Sequence, residues 1–248
     1  MGQEAALLVV VRRAARLALV SAALLLAGCG AHSEVVRAED HRAFFLWAGV
    51  APQPVLDRAE EVYLLDGEVQ GAGRGAFVPL RGGVPRIAHA GLWLVVRTNR
   101  LDWDAAVWPR VLADLERWRA GGNRVIGLQI DFDAATRGLD RYAAFLADLR
   151  IRLPQRYRLS ITGLMDWSAN GDPAALARLK GTVDEVVIQT YQGRATIPGY
   201  ADYVAHLARV PVPHKLALVQ GGTWREPAAV RRDPLFRGYV VFLVNPAP

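Results

Sequence analysis

The densest group of chemically useful side chains in this sequence lies in Gly127-Leu128-Gln129-Ile130-Asp131-Phe132-Asp133. In an extended chain, side chains alternate, so Gln129, Asp131 and Asp133 share one face and Leu128, Ile130 and Phe132 the other. Two carboxylates at i and i+2 sit roughly 6–7 Å apart at Cα, and mutual repulsion with partial burial raises the pKa of one of them. A carboxyl raised in this way can protonate a leaving group. The structural alternative is that Asp131 accepts hydrogen bonds from neighbouring strands while Asp133 caps the next helix or turn. A second run, Val186-Val187-Ile188-Gln189-Thr190-Tyr191-Gln192, places Gln189 and Tyr191 on one face. An amide and a phenol suit the holding of a polar substrate.

These groups need elements to position them. Eight apolar runs read as strands, near 44–47, 62–65, 92–97, 125–132, 158–163, 185–190, 216–220 and 239–244. Helical spacing appears from Asp102 to Ala120, closed by Gly121-Gly122, and from Leu139 to Arg152. Pro173 opens a shorter helix. Strands alternating with helices imply parallel pairing, and eight of them predict a compact α/β fold, a (β/α)8 TIM-like barrel, with an open doubly wound sheet as the alternative. The glycine-rich stretch from Gly67 to Gly91 has no helical period and reads as a loop or hairpin replacing an early helix. The barrel is therefore expected to be irregular at its first strands and at its C-terminus. Function in such a barrel sits at the C-terminal ends of the strands. That rim is expected to gather Trp47, Arg97, Met165, Asp166, Gln220, Trp224 and Asn245, with the tryptophans either stacking on a sugar ring or simply packing.

The N-terminal segment is read as targeting and not as fold. Arg12, Arg13 and Arg16 precede an uncharged run from Leu17 to Ala27, which is too short for the ~20 residues of a spanning helix. The run ends in Leu26-Ala27-Gly28-Cys29, which resembles the lipobox of bacterial lipoproteins. That resemblance implies a signal peptide over 1–28 and lipidation of Cys29; the small, polar-rich stretch that follows reads as a tether, over 29–42, leading to a barrel domain over 43–248. The lipobox resemblance also implies a lipid-anchored place in the cell envelope. Because Gly30 stands where an aspartate would suggest inner-membrane retention, the outer membrane facing the periplasm is expected if the cell has two membranes. Cys29 is the single cysteine, which excludes an internal disulfide and a cysteine-ligated zinc site. Residues 1–28 hold three Arg and one Glu, so the formal charge of +6 falls to +4 from Cys29 onward. The arginines are scattered and not clustered, which argues against nucleic acid as a partner.

The strand ends resemble glycoside hydrolase family 18, the chitinases and their relatives. The family's fourth strand reads Asp-Gly-x-Asp-x-Asp-x-Glu. Here it is matched from Ile126 through Asp133, with Gly127 in the glycine place, Asp131 in that of the last aspartate and Asp133 in that of the glutamate. Ile126 and Gln129 stand where the family has its other two aspartates. The segment from Val183 to Tyr191 is similar to the family's sixth strand, and that from Lys215 to Gly221 to its seventh. The resemblance implies Asp133 as general acid, Asp131 as its electrostatic partner and Tyr191 as the group that positions the substrate. Gln129, Gln189, Trp47, Asp166, Gln220, Trp224 and Asn245 complete the expected substrate contacts, on a polysaccharide or glycan. Asp166 can also serve as a second carboxylate. The alternatives are a catalytically inactive barrel that binds glycan or an envelope protein, and a purely structural lipoprotein. The sequence has no Gly-x-Ser-x-Gly elbow, P-loop or His-Glu-x-x-His pair, and its five histidines lack metal-ligand spacing, so neither metal nor cofactor is assigned.

Overall fold

The computed structural model describes residues 34–70 and 75–246. Eight parallel strands form the barrel: β1 (Ala43–Leu46), β2 (Glu61–Val69), β3 (Gly91–Thr98), β4 (Arg124–Asp131), β5 (Arg158–Leu164), β6 (Glu185–Gln189), β7 (His214–Val219) and β8 (Phe236–Phe242). Each pairs with its neighbour in chain order, and β8 pairs with β1 to close the ring. The sequence expectation of a (β/α)8 barrel holds. The open sheet is excluded because the β8–β1 pairing leaves none of the eight strands as a free edge of an open sheet.

Strand parity sorts the residues into two cores. Outward residues such as Leu128, Ile130, Leu159 and Ile161 pack under the helices α1 (Val107–Ala120) and α2 (Leu139–Arg152). Inward residues fill the barrel with Phe45, Tyr63, Leu65, Trp93, Val95 and Val187. The Tyr63 and Trp93 rings stack with centroids 5.6 Å apart. Short helices α3 (Asp166–Asn170), α4 (Pro173–Leu179), α5 (Tyr200–Val204) and α6 (Ala228–Arg232) complete the cover. None of the described helices is long and apolar enough to cross a membrane.

The cover is thinnest beside β1 to β3. A 3-10 turn, Pro54–Arg58, replaces the first helix, and the strand Phe77–Pro79 folds antiparallel onto the end of β2 in place of the second. The helix expected from Asp102 starts five residues later, because Asp104 accepts the Ala106 N–H at 2.9 Å in a local turn that competes with helix.

Part of the span expected as a tether, 29–42, is packed into the domain among the described residues. The compact unit runs from Val35. Val36 and Ala38 are buried, and the Val36 backbone exchanges hydrogen bonds with Gly221 and Gly222 at 2.9 and 2.8 Å. Cys29 and the segment read as a signal peptide lie outside the described residues.

Candidate functional site

The inward face of β4 reaches the C-terminal mouth of the barrel with Asp131 and then Asp133. Asp131 is only 8% exposed. Its Oδ1 accepts the Thr162 hydroxyl from β5 at 2.9 Å, and its Oδ2 lies 3.8 Å from Arg97 Nε at the end of β3. Burial pushes its carboxyl up to about 6, with Asp133 and Glu68 adding to the rise; Arg97 and the Thr162 hydrogen bond oppose it. The raised carboxyl is thus the deeper of the pair, whereas the general-acid place in the motif is that of Asp133.

Two cavities meet over these residues. The first, about 280 Å³, is lined by Asp131, Asp133, Arg97, Thr162, Gln189, Tyr191 and an aromatic wall of Phe45, Trp47 and Phe242. The second, about 510 Å³, is more apolar and runs under Leu164, Met165, Ile197 and Tyr203, with Asp166 as its second carboxylate. Asp133, Gln189 and Tyr191 line both, and so form the saddle between them. Gln189 donates from Nε2 to the Tyr191 carbonyl at 2.9 Å, which sets the turn that brings the phenol over the mouth. The Tyr191 ring packs against Phe242 at 5.3 Å, and burial together with the nearby Asp131 pushes its phenol well above the ordinary range. It remains a neutral hydrogen-bonding group.

The structure brings together Asp131, Asp133, Tyr191, Gln189, Trp47, Arg97, Met165 and Asp166 of the predicted rim. The other four expected substrate contacts sit elsewhere. Gln129 is wholly buried inside the barrel and donates to Ser160 Oγ at 2.9 Å, because β4 places it one inward layer below Asp131. Gln220 pairs its amide with that of Gln53 at 2.9 Å and accepts the Val244 N–H, tying the loop after β1 to the end of β8. Trp224 stacks on Tyr200 at 4.4 Å under Tyr239 and is packing. Asn245 accepts the Ala51 N–H at 2.9 Å and donates to the Gly49 carbonyl at 2.8 Å, which pins the loop that carries Trp47. Thr162 is the partner that sequence reasoning missed. The alternation Ser160, Thr162 on β5 would have found it by the same parity used for β4.

With this geometry in place, comparison with known proteins supports the class of fold, a (β/α)8 TIM-like barrel. A family model described as a domain of unknown function, DUF3142, matches residues 92–208, from β3 through α5. Among solved structures, the chain is similar to the spore cortex-lytic enzyme SleL of Bacillus cereus, at 21% identity and a TM-score of 0.50 over 71% of this chain and 49% of that one. The match therefore spans about half of SleL's length. It is also similar to the xylanase-alpha-amylase inhibitor protein XAIP-I, solved with trehalose, at 10% identity and a TM-score of 0.51 over 82% of this chain and 93% of that one. At such identities the likeness concerns the fold. None of the curated proteins matches this sequence.

Proposed function

We propose that the domain acts on a polysaccharide, with the glycosidic bond laid across the saddle between the two cavities. Asp133 is the general acid, Asp131 beneath it is the electrostatic partner, and Tyr191 positions the sugar. The observation that carries this reading is that Asp133 and Tyr191 line both cavities, directly above a buried carboxyl with a pKa of about 6. Such a carboxyl changes charge in the range where a sugar hydrolase works, and the proton it holds is one that Asp133 can draw on as general acid. If an N-acyl sugar supplies its own nucleophile, one protein acid suffices. Asp166 in the second cavity is the other candidate carboxylate. The test is release of reducing ends from a panel of soluble chitooligosaccharides and peptidoglycan fragments. Asp133→Asn is expected to lose at least ~10²-fold in rate while keeping glycan affinity.

A second reading follows from the identity of residue 133. Aspartate is one methylene shorter than the glutamate of the chitinase motif, and a misplacement of about 1 Å can cost ~10²-fold. On that reading the barrel binds glycan or an envelope protein without cleaving it. Absence of turnover by folded protein, with saccharide binding retained, decides for it.

We place the domain at the cell envelope through lipid on Cys29, at the outer membrane where the cell has one. Cys29→Ala is expected to move the protein from the membrane fraction to the soluble one. An unchanged fractionation would remove the anchor from this reading.

A further inference from the structure

Among the described residues lining the cleft, Arg97 is the one strong cation, and the proposed chemistry uses it only as a distant counter-charge to Asp131. It stands at the end of β3, lines the first cavity, and keeps 48% of its side chain exposed. Among the described residues its guanidinium makes no hydrogen bond. The nearest carboxylate oxygen, on Asp131, is 3.8 Å from Nε, beyond hydrogen-bond range. Glu68, its register partner on β2, forms no ion pair with it. Other arginines near the barrel mouth are engaged: Arg81 donates to the Leu46 and Leu65 carbonyls, and Arg194 crosses from the loop after β6 to the Asn245 carbonyl at 2.8 Å.

A guanidinium stays charged at any physiological pH and offers a planar fork that a carboxylate fills with two bonds. Sugar hydroxyls are served by amides and phenols, which Gln189 and Tyr191 already supply. The aromatic wall of Phe45, Trp47 and Phe242 lowers the local dielectric and so strengthens whatever ion pair forms there. We infer that the cleft selects a saccharide bearing a carboxylate, which Arg97 receives. The inference rests on the glycan reading above and names the substrate class of the same site. A uronic acid and a lactyl ether on an amino sugar present the same chemistry.

The experiment is calorimetric titration of the intact protein with two matched pairs of probes. One pair is tetragalacturonate and its methyl ester; the other is peptide-free peptidoglycan strands and the same strands with their carboxyls methylated. The charged form of at least one pair is expected to bind ~10-fold or more tighter than its ester, the range of a charge-assisted hydrogen bond. The preferred pair identifies the carboxylate source. Arg97→Gln is expected to abolish that difference, and Arg97→Lys to keep part of it. Equal affinity for charged and esterified forms overturns the inference while leaving the glycan reading standing. A preference that survives Arg97→Gln in folded protein also overturns it. Failure of all four probes, together with neutral chitooligosaccharides, overturns the glycan reading itself.

Discussion

At the residue scale, the consequence that reaches furthest is the cost of burying Asp131. Its carboxyl sits at about 6 against an ordinary 3.8, so between those values the folded chain binds a proton that the unfolded chain has released. Stability therefore falls as pH rises through this window, by a magnitude on the order of 2–3 kcal/mol from this group alone. Asp131→Asn is expected to raise the Tm at pH 7 and to flatten the profile between pH 4 and 6 in thermal melts. A steeper profile in the variant would mean that another group sets the slope. Arg97 opposes the rise, so Arg97→Gln is expected to move the Asp131 titration above its present position, as read by carboxyl carbon shifts in NMR. The alternation along β4 made the carboxylate pair legible in the sequence. That Asp131 is raised was not, because the rise comes from its burial in the closed ring, which Thr162 and Arg97 from two other strands only partly oppose.

At the element scale, the β2–β3 pairing slips by one residue between Leu65 and Gly67. The bulge leaves Asp66 as the extra residue, buried beside Asp114 of α1, and turns Glu68 inward beside Arg97. Burial and the neighbouring Asp114 carboxyl push Asp66 up to about 7, while Arg110 and Arg117 each hold Asp114 at 2.7 Å. Asp114→Ala removes the shared partner of two half-exposed arginines together with the carboxyl that raises Asp66, and is expected to lower the Asp66 titration as read by carboxyl carbon shifts in NMR. Gly127 shows a tighter constraint. A Cβ there would lie 2.0 Å from the Arg158 carbonyl on β5, a contact that only backbone movement can relieve. Gly127→Ala is expected to destabilise by more than ~2 kcal/mol, whereas an unchanged midpoint would show that β4 and β5 can part without loss. The glycine of the motif is thus explained by strand packing, independent of any role in catalysis.

At the scale of the whole molecule, the two ends of the barrel do different work. The mouth holds the carboxylates and the cavities. The opposite end is closed by Lys215, whose ammonium lies 2.7 Å from Glu61 and 3.1 Å from Glu185 and donates to Tyr63 at 3.0 Å. Ser160 and the Tyr63 hydroxyl also bond to Glu185, and Gln129 joins through Ser160, so the plug reaches up to one layer below Asp131. Burial alone would raise Glu61, but Lys215 and the hydrogen bonds from Lys215, Trp93 and Tyr63 outweigh it and hold the carboxyl below its ordinary range. Lys215→Ala leaves two facing carboxylates without their cation, and is expected to cost ~3–5 kcal/mol at pH 7. The loss should shrink toward pH 4 as the carboxyls take up protons. On the proposed reading, glycan affinity measured well below the melting temperature should be unaffected, because the plug lies at the far end from the mouth.

What the sequence determined by itself is periodic. Alternation along each strand, helical spacing from Leu139 to Arg152 and the stop at Gly121-Gly122 follow from local geometry. They suffice for eight strands, a parallel barrel and the face on which Asp131, Asp133, Gln189 and Tyr191 stand. What only the tertiary structure decided is depth and partnership. Gln129 and Asp131 have the same parity two residues apart, yet one is sealed in the interior and the other reaches the mouth, since depth depends on where each strand starts in the closed ring. Gln220, Trp224 and Asn245 sit near strand ends as expected, but they are occupied by Gln53, by Tyr200 and by the loop after β1. Those partners come from the far end of the chain or from separate loops, and contacts of that kind leave no period for a sequence to show.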